Sequence, residues 1–403
     1  MKIFFTASLV LFGIINSNAQ VIYNAYAKVS AISGSSVLTL TNVDEANHTF
    51  TIGGNVIIMQ MQDDVIGTNT TNVSTFGDLS AINNAGIYEV RSIIARSPAA
   101  GTTTSITLSS PISASYNTGA NSSLQLITFR DLGTNFTTTS DITGLTWDGN
   151  VGGVIAIEVT NTLTLNHSVS ANAIGFRGGA PSVNDGGGCN STNYIINSNT
   201  YGYKGEGIYK STSATFNNGR GHLLNGGGAG NPHNAGGAGG GNYSAGGNGG
   251  PGYGCSPVAG GIGGISLSTQ ISAGRIFMGG GGGGPQRNNS YVSTGGNGGG
   301  IILIKATMLL TNTTCGSPIG ITANGGTAIN VGNDGAGGGG AAGTIVLNVN
   351  TFSVSSTCTL AINANGGGGG SCTDGTQHAG GGGGGQGALF DSPTYYEHAN
   401  HHQ

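Results

Sequence analysis

Charge is what this chain has least of: twelve cationic and sixteen anionic residues among 403, for a formal net charge of −4. Gripping a phosphate backbone takes clustered Lys and Arg. From Val151 onward seven cations and seven anions are scattered singly, which excludes nucleic acid and argues against an anionic membrane surface. Long apolar runs are also missing. After the first twenty residues none approaches the ~20 that a bilayer-spanning helix needs, so no membrane span is expected. There is no GxxxxGK[ST] and no glycine tract opening a helix, which removes a nucleotide site. Cys-x-x-Cys and finger-type Cys/His spacings are absent, which argues against zinc. No cofactor is expected.

The opening segment reads as an export signal over residues 1–20: Lys2, an apolar run from Ile3 to Ile15, then Ser17, Ala19 and Gln20 at a small-residue cleavage region. The expected location is therefore secreted or at the outer cell surface. All five cysteines fall after Val151, and export permits disulfides.

Glycine is what the chain has most of, and it is unevenly placed. Val21 to Asn150 holds 11 of the 80 glycines, whereas 68 lie from Gly152 onward, so a boundary is expected near Trp147. Residues 21–150 read as short strands at Val37 to Asn42, Thr49 to Gln62 with a Gly53-Gly54 turn, Tyr88 to Arg96, Thr104 to Ser109 and Ser123 to Phe129. Helical periodicity is missing. Val56, Ile58 and Gln60 on one side and Ile57, Met59 and Met61 on the other mark a strand buried on both faces. A small β-sandwich or barrel-like domain is expected.

Residues 151–390 carry three copies of one pattern, ahead of a tail at 391–403. Gly153 to Gly179 reads GVIAIEVTNTLTLNHSVSANAIGFRGG, Gly300 to Gly326 reads GIILIKATMLLTNTTCGSPIGITANGG, and Gly343 to Gly367 reads GTIVLNVNTFSVSSTCTLAINANGG. The first two align without a gap and the third needs a two-residue deletion. Alternating strands repeated along a chain fit an all-β, β-helix-like core whose coils bury their inner faces by stacking. Between the first two copies lies a polyglycine-rich insertion at about 180–297. Extended segments with three residues per turn, paired through their backbones, are expected there rather than a loose loop.

Cys315 and Cys358 hold the same position in copies two and three, so stacking puts them about 4.8 Å apart, within disulfide reach. Cys189 with Cys255 is the second expected bridge, leaving Cys372. A carbohydrate-cleaving β-helix needs converging carboxylates, but Glu158, Asp185, Glu206, Asp334, Asp374, Asp391 and Glu397 recur at no matched position, so no catalytic residue is assigned. Asn333-Asp334-Gly335 and Asp374-Gly375 faintly echo calcium-binding nonapeptides and read as turns. His398, His401 and His402 resemble a metal-binding tract but read as a solvated tail. Tyr201, Tyr203, Tyr209, Tyr243, Tyr253 and Tyr291, set among Asn, Ser and Gly, have the composition of an adaptable recognition surface.

The segments VIIMQMQDD (Val56 to Asp64), NNAGIYEV (Asn83 to Val90), TWDGNVGGVIAIEV (Thr146 to Val159), IGFRGG (Ile174 to Gly179), YGYKGEGI (Tyr201 to Ile208) and GGNGGGIILIKA (Gly295 to Ala306) together resemble glycine-rich secreted proteins of Bacteroidota. The glycine-rich part is similar to the extracellular glycine-rich domain of anaplastic lymphoma kinase type receptors and to polyglycine-helix phage tail adhesins. The resemblance implies an adhesin or outer-surface protein, carries over no catalytic residue, and implies export by type IX secretion, although no sorting domain is recognised before Gln403. The expected partner is a polysaccharide or cell-surface ligand, with a self-associating structural or filament subunit the alternative and a carbohydrate-active β-helix enzyme the second.

Overall fold

A computed structural model describes residues 20–184, 188–189, 193–255, 260–313, 315, 318–374 and 378–391. The export signal apart from Gln20, Asp185, Gly375, Glu397 and the tail histidines lie outside the described residues. Regular structure is almost all strand; α1, Ser268–Ser272, is five residues long.

β1 (Val21–Ile22) is followed by β2 (Tyr26–Ser33), β3 (Val37–Asp44), β4 (Asn55–Gln62), β5 (Tyr88–Ser97), β6 (Ser105–Leu108) and β7 (Ser123–Asp131). Six of these pair antiparallel in a closed circuit: β2 with β3, β3 with β6, β6 with β5, β5 with β4, β4 with β7, and β7 back to β2. Closure leaves the circuit without an open edge. Val29, Leu38, Val56, Ile58, Ile106 and Leu126 belong to one buried cluster, and Ile57, Met59 and Met61 to another. β4 is thus buried on both faces, as its sequence indicates. β2 has no counterpart among the sequence-expected strands. Its Ala and Ser residues dilute the β-branched signature, and it forms because Ala27 and Val29 close the first cluster.

The repeats supply β8 (Asn135–Thr137), β9 (Ile142–Thr143), β10 (Val154–Leu165), β11 (Val169–Ser170), β12 (Ile301–Thr311), β13 (Ile319–Thr322), β14 (Thr344–Ser353), β15 (Leu360–Asn363) and β16 (Ala388–Asp391). β10, β12, β14 and β16 pair parallel, continuing from β7; β1, β9, β11, β13 and β15 form a second parallel sheet. First strands start in the register of the sequence alignment, with Val154 facing Ile301 and Ile301 facing Thr344, but a bulge after Val159 slips copy one against copy two by a residue, so that Thr162 faces Met308. Second strands correct it. Val169 faces Ile321, so from the first strand's start to this pair copy two spends five more residues than copy one, and the gapless alignment fails after Val159. Copy two inserts a longer turn around Cys315. Ile321 faces Ile362, two residues short, as the deletion requires.

Ile155, Ile157, Ile302, Ile304, Ile345 and Leu347 from the first sheet share a buried cluster with Val169, Ile319 and Ile321 from the second. Val154, Ala156, Ile301, Leu303 and Val346 belong instead to the cluster holding Trp147, Phe176 and Met278. The continuous apolar VIAI and IILI runs are therefore buried on both faces. Along the second sheet an amide ladder climbs the surface: Asn172 Oδ1 accepts from the Asn324 N–H at 2.7 Å, and Asn324 Oδ1 from the Asn365 N–H at 2.8 Å.

The glycine tracts are ordered. In residues 279–284, successive N–H groups donate to three different neighbours in turn: Gly279 and Gly282 to the carbonyls of Gly299 and Gly296, Gly280 and Gly283 to those of Gly241 and Ala238, Gly281 and Gly284 to those of Glu206 and Tyr203. Gly179, Gly227 and Gly338 donate back to Gly282, Gly281 and Gly283, so six segments surround this one. The three-residue period is that of an extended helix with no internal hydrogen bonds, and each of the six N–H groups finds its partner on another segment. Glycine is demanded by contact rather than by torsion. A Cβ on Gly283 lies 2.0 Å from the Gly228 carbonyl oxygen, and no positive φ occurs in this segment.

Candidate functional site

Among the described residues, three of the places that gather polar side chains also have a cavity or an exposed ring. The first is the seam between the strand circuit and the glycine bundle. Residues 202–207 form one bundle segment, fixed by the N–H groups of Lys204, Gly205 and Glu206 donating to Asn217, Gly227 and Arg177 carbonyls. A Cβ on Gly205 or Gly207 would strike Gly281 or Leu223 carbonyl oxygens at 2.0 and 2.4 Å, so side chains remain only at Tyr203, Lys204, Glu206 and beyond. They line a cavity of about 220 Å³ with Gln62, Arg177, Tyr209 and Lys210. The Lys204 Nζ is buried without a hydrogen-bond partner, 4.4 Å above the Phe76 ring, and burial drives its pKa well below the usual lysine value. Lys210 reaches Ser123 Oγ at 3.0 Å and the Gly149 carbonyl at 3.1 Å; burial, then Lys28, lower its pKa. Arg177 is paired with Glu206, whose hydrogen bond raises the guanidinium further.

The second is a groove of about 260 Å³ where the first parallel sheet emerges to solvent, with Asp131, Glu158, Lys305 and Asn348 side by side on successive strands. Glu158 Oε1 accepts from Asn55 Nδ2 at 2.7 Å, and its Oε2 is 3.6 Å from Lys305 Nζ. Asp131 accepts the Gly133 N–H. Asp131 lies outside the repeat, so only the cross-strand register, which the repeat pattern does not reach, signals its position beside Glu158.

The third lies at one end of the glycine segments. Tyr253 stacks on His378 at 4.7 Å and meets His233 edge-on at 5.8 Å. Asn288 Nδ2 donates to His233 Nε2 at 2.5 Å; Asn234 Nδ2 donates to Asn288 Oδ1 and to His378 Nδ1 at 3.1 and 2.9 Å. Buried Asp334 accepts the N–H groups of Asn288 and Asn289 at 3.1 Å and so holds the loop. Tyr253 is 43% exposed and Tyr291, against Gly332, 48%.

The six tyrosines therefore do not share one surface. Tyr253 and Tyr291 lie at this end, while exposed Tyr243 lines a hollow with Leu389 and Phe390 at the other end of segment 236–241. Tyr203 lines the seam, and Tyr201 is half-buried. Tyr209, expected on the surface, is buried instead: its hydroxyl bonds Thr212 Oγ1 and its ring packs against Phe216. Sequence reasoning missed the two histidines flanking Tyr253, which come from segments 20 and 125 residues away and share no local motif.

Disulfides join Cys189 to Cys255 and Cys315 to Cys358, with Cα separations of 5.1 and 5.4 Å; Cys372 stands outside both, beside Asp374 Oδ1. Asp374 also accepts from Asn333 Nδ2. Among the described residues no three His, Cys, Asp or Glu side chains are disposed to hold a metal ion, and no helix is long and apolar enough to cross a membrane. Comparison with protein-family models, curated proteins and solved structures finds no match.

Proposed function

We propose that this is an extracellular, non-catalytic surface protein that binds glycans or other surfaces through the Tyr253 end of its glycine bundle. The observation that carries the reading is the cluster itself. An exposed aromatic ring is flanked by two imidazoles and two amides and is mounted on loops that backbone-paired segments hold in place. Rings with neighbouring amide and imidazole groups offer both flat apolar contact and hydrogen bonds to hydroxyl-rich ligands at little entropic cost. Two disulfides fit an oxidising compartment, and the two parallel sheets, taken as a short β-helix, give the cluster a stiff base. The resemblance to secreted Bacteroidota surface proteins agrees with this reading.

The test is binding of the chain from Val21 to Gln403 to a panel of polysaccharides and surfaces, with product release measured in the same wells. Saturable binding that falls about tenfold or more in Tyr253→Ala supports the proposal; released product overturns the non-catalytic assignment, and no binding overturns the recognition role. One observation favours self-assembly as a second reading: β16 is the outermost strand of its sheet, with Leu389 51% exposed. Concentration-dependent growth in light scattering would support it.

A further inference from the structure

We infer that two copies of this chain join back to back at the far end of the parallel sheets, through glycine segments whose N–H groups have no acceptor within the chain. This deepens the self-assembly reading above and rests on it, but closes the assembly at two copies. A ladder of donors shows where the end lies. In the segments leading into β12, β14 and β16, Gly296 donates to the Gly338 carbonyl and Gly339 to that of Gly382, both at 2.8 Å. Strand register puts Gly383 next in this column, and its N–H finds no acceptor among the described residues. Ala336 donates likewise to Ala379, and Gly380, the next in its column, to nothing described. Beside the second sheet, Gly325 and Ala328 donate to Asn365 and Gly368, while Gly366 and Gly369, their counterparts one copy on, again lack an acceptor among the described residues. These bonds all run from one copy to the next, so the four free donors aim where a further copy would lie. Gly383 is exposed and the other three are half-buried. Gln386, the last of its row, is instead capped by Ser244 Oγ at 2.8 Å.

The choice of residue points the same way. In the inner columns the next copy demands glycine: a Cβ on Gly296 lies 2.0 Å from the Gly326 carbonyl oxygen, and one on Gly339 lies 2.1 Å from that of Gly367. At the end, a Cβ on Gly383 or Gly380 meets nothing closer than 3.9 or 3.5 Å, and neither residue has a positive φ. Alanine at these two positions would stabilise the isolated chain. A backbone arriving from outside at the inner-column spacing accounts for glycine there.

Three observations identify that backbone as a second copy of the same face. The sequence after Asp391, SPTYYEHANHHQ, contains no glycine and is kept out by its own side chains. At the opposite end β10 pairs with β7 and β8, so the first sheet runs on into the strand circuit and offers a head-to-tail partner no matching face. Glycine segments here also accept neighbours of either direction: Gly279 and Gly282 donate to Gly299 and Gly296 in antiparallel order, and Gly227 and Gly230 donate to Gly281 and Gly284 in parallel order. A two-fold-related copy is therefore admissible, and such a contact closes at a dimer. Between Gly343 and Asp391 the formally charged residues are Asp374 and Asp391 alone, which leaves little like-charge repulsion to oppose it.

The test is sedimentation of the Val21 to Gln403 chain over a concentration series, with hydrogen exchange of the Gly366, Gly369, Gly380 and Gly383 amides followed in the same samples. A monomer–dimer equilibrium that stops at two is the expected result, with these amides exchanging freely in dilute protein and slowly in the dimer. Gly380→Ala combined with Gly383→Ala should weaken the dimer at least about tenfold, while the dilute monomer melts no lower than wild type. Dimerisation of that double variant equal to wild type overturns the interface. Amides already protected in dilute monomer overturn it too, because the chain then covers its own end. Growth past two overturns the closed dimer and leaves open-ended assembly standing; a wild type that stays monomeric at every concentration overturns both.

Discussion

Two Gly→Ala substitutions in the bundle should move stability in opposite directions. At Gly283 a Cβ lies 2.0 Å from the Gly228 carbonyl oxygen and 2.6 Å from its carbon, where ordinary contact begins near 3.4 Å. The two segments must part by about 1 Å or more, which disturbs the hydrogen bonds from Gly227 to Gly281 and from Gly230 to Gly284, both 2.9 Å. Overpacking costs about 1–3 kcal/mol and two weakened backbone bonds about 0.5–1.5 kcal/mol each, so Gly283→Ala should destabilise by about 2–6 kcal/mol. Gly383 is exposed, and a Cβ there meets only the Gly367 carbonyl oxygen at 3.9 Å, with no positive φ. Alanine then acts through the unfolded chain and stabilises by about 0.4–1 kcal/mol. Thermal unfolding followed by circular dichroism reads both: at about 2 °C per kcal/mol, a fall of about 4–12 °C for Gly283→Ala against a rise of up to about 2 °C for Gly383→Ala. A Gly283→Ala protein that melts with the wild type would refute backbone contact as the reason for glycine in the bundle.

Replacing Cys315 and Cys358 together by Ser opens a 43-residue separation and should cost about 4 kcal/mol on loop-closure entropy, seen as a lower urea midpoint under non-reducing conditions. Burial lowers the His222 pKa although its ring nitrogens lie 3.1 and 3.2 Å from the Gly263 and Gly77 carbonyl oxygens. The unfolded chain therefore takes up a proton near pH ~6.5 that the folded chain still excludes, and the stability advantage over His222→Gln should shrink as pH falls from about 7 to 5 in urea titrations. Asn324→Ala removes one rung of the surface amide ladder and should cost about 1 kcal/mol without changing the denaturant slope.

The strands with alternating β-branched residues were legible because pairing and burial acted together on them: β4, β10, β12 and β14 carry their burial in their sequence. β2 was not, because Ala27 is buried through the smallness of its side chain and Ala and Ser predominate beyond Val29, which leaves no clear hydrophobic period. Register was legible only where side chains repeat. The first strands of copies one and two stack as aligned only through Val159, where a bulge slips the pairing by one, and the turn around Cys315 then absorbs six residues; neither leaves a trace in an apolar pattern. The glycine tracts showed that neighbours approach closely but not which ones, since a residue without a side chain encodes no partner. The seam cavity and the Tyr253 cluster stayed hidden for the same reason: Lys204, Phe76, His233 and His378 meet only after those unlabelled segments have been ordered.

The interior of the glycine bundle is made of peptide groups rather than hydrocarbon, and that shapes its response to temperature. Exposing apolar surface raises the heat capacity of unfolding and exposing polar surface lowers it. A core whose contacts are N–H and C=O groups, as around residues 279–284, therefore gains little heat capacity per residue when it melts. Its stability curve is broad and shallow, holding nearly constant over a wide span of temperature and resisting the weakening that cooling brings to oil-like cores. Such a bundle keeps its shape in cold surroundings as well as in warm ones.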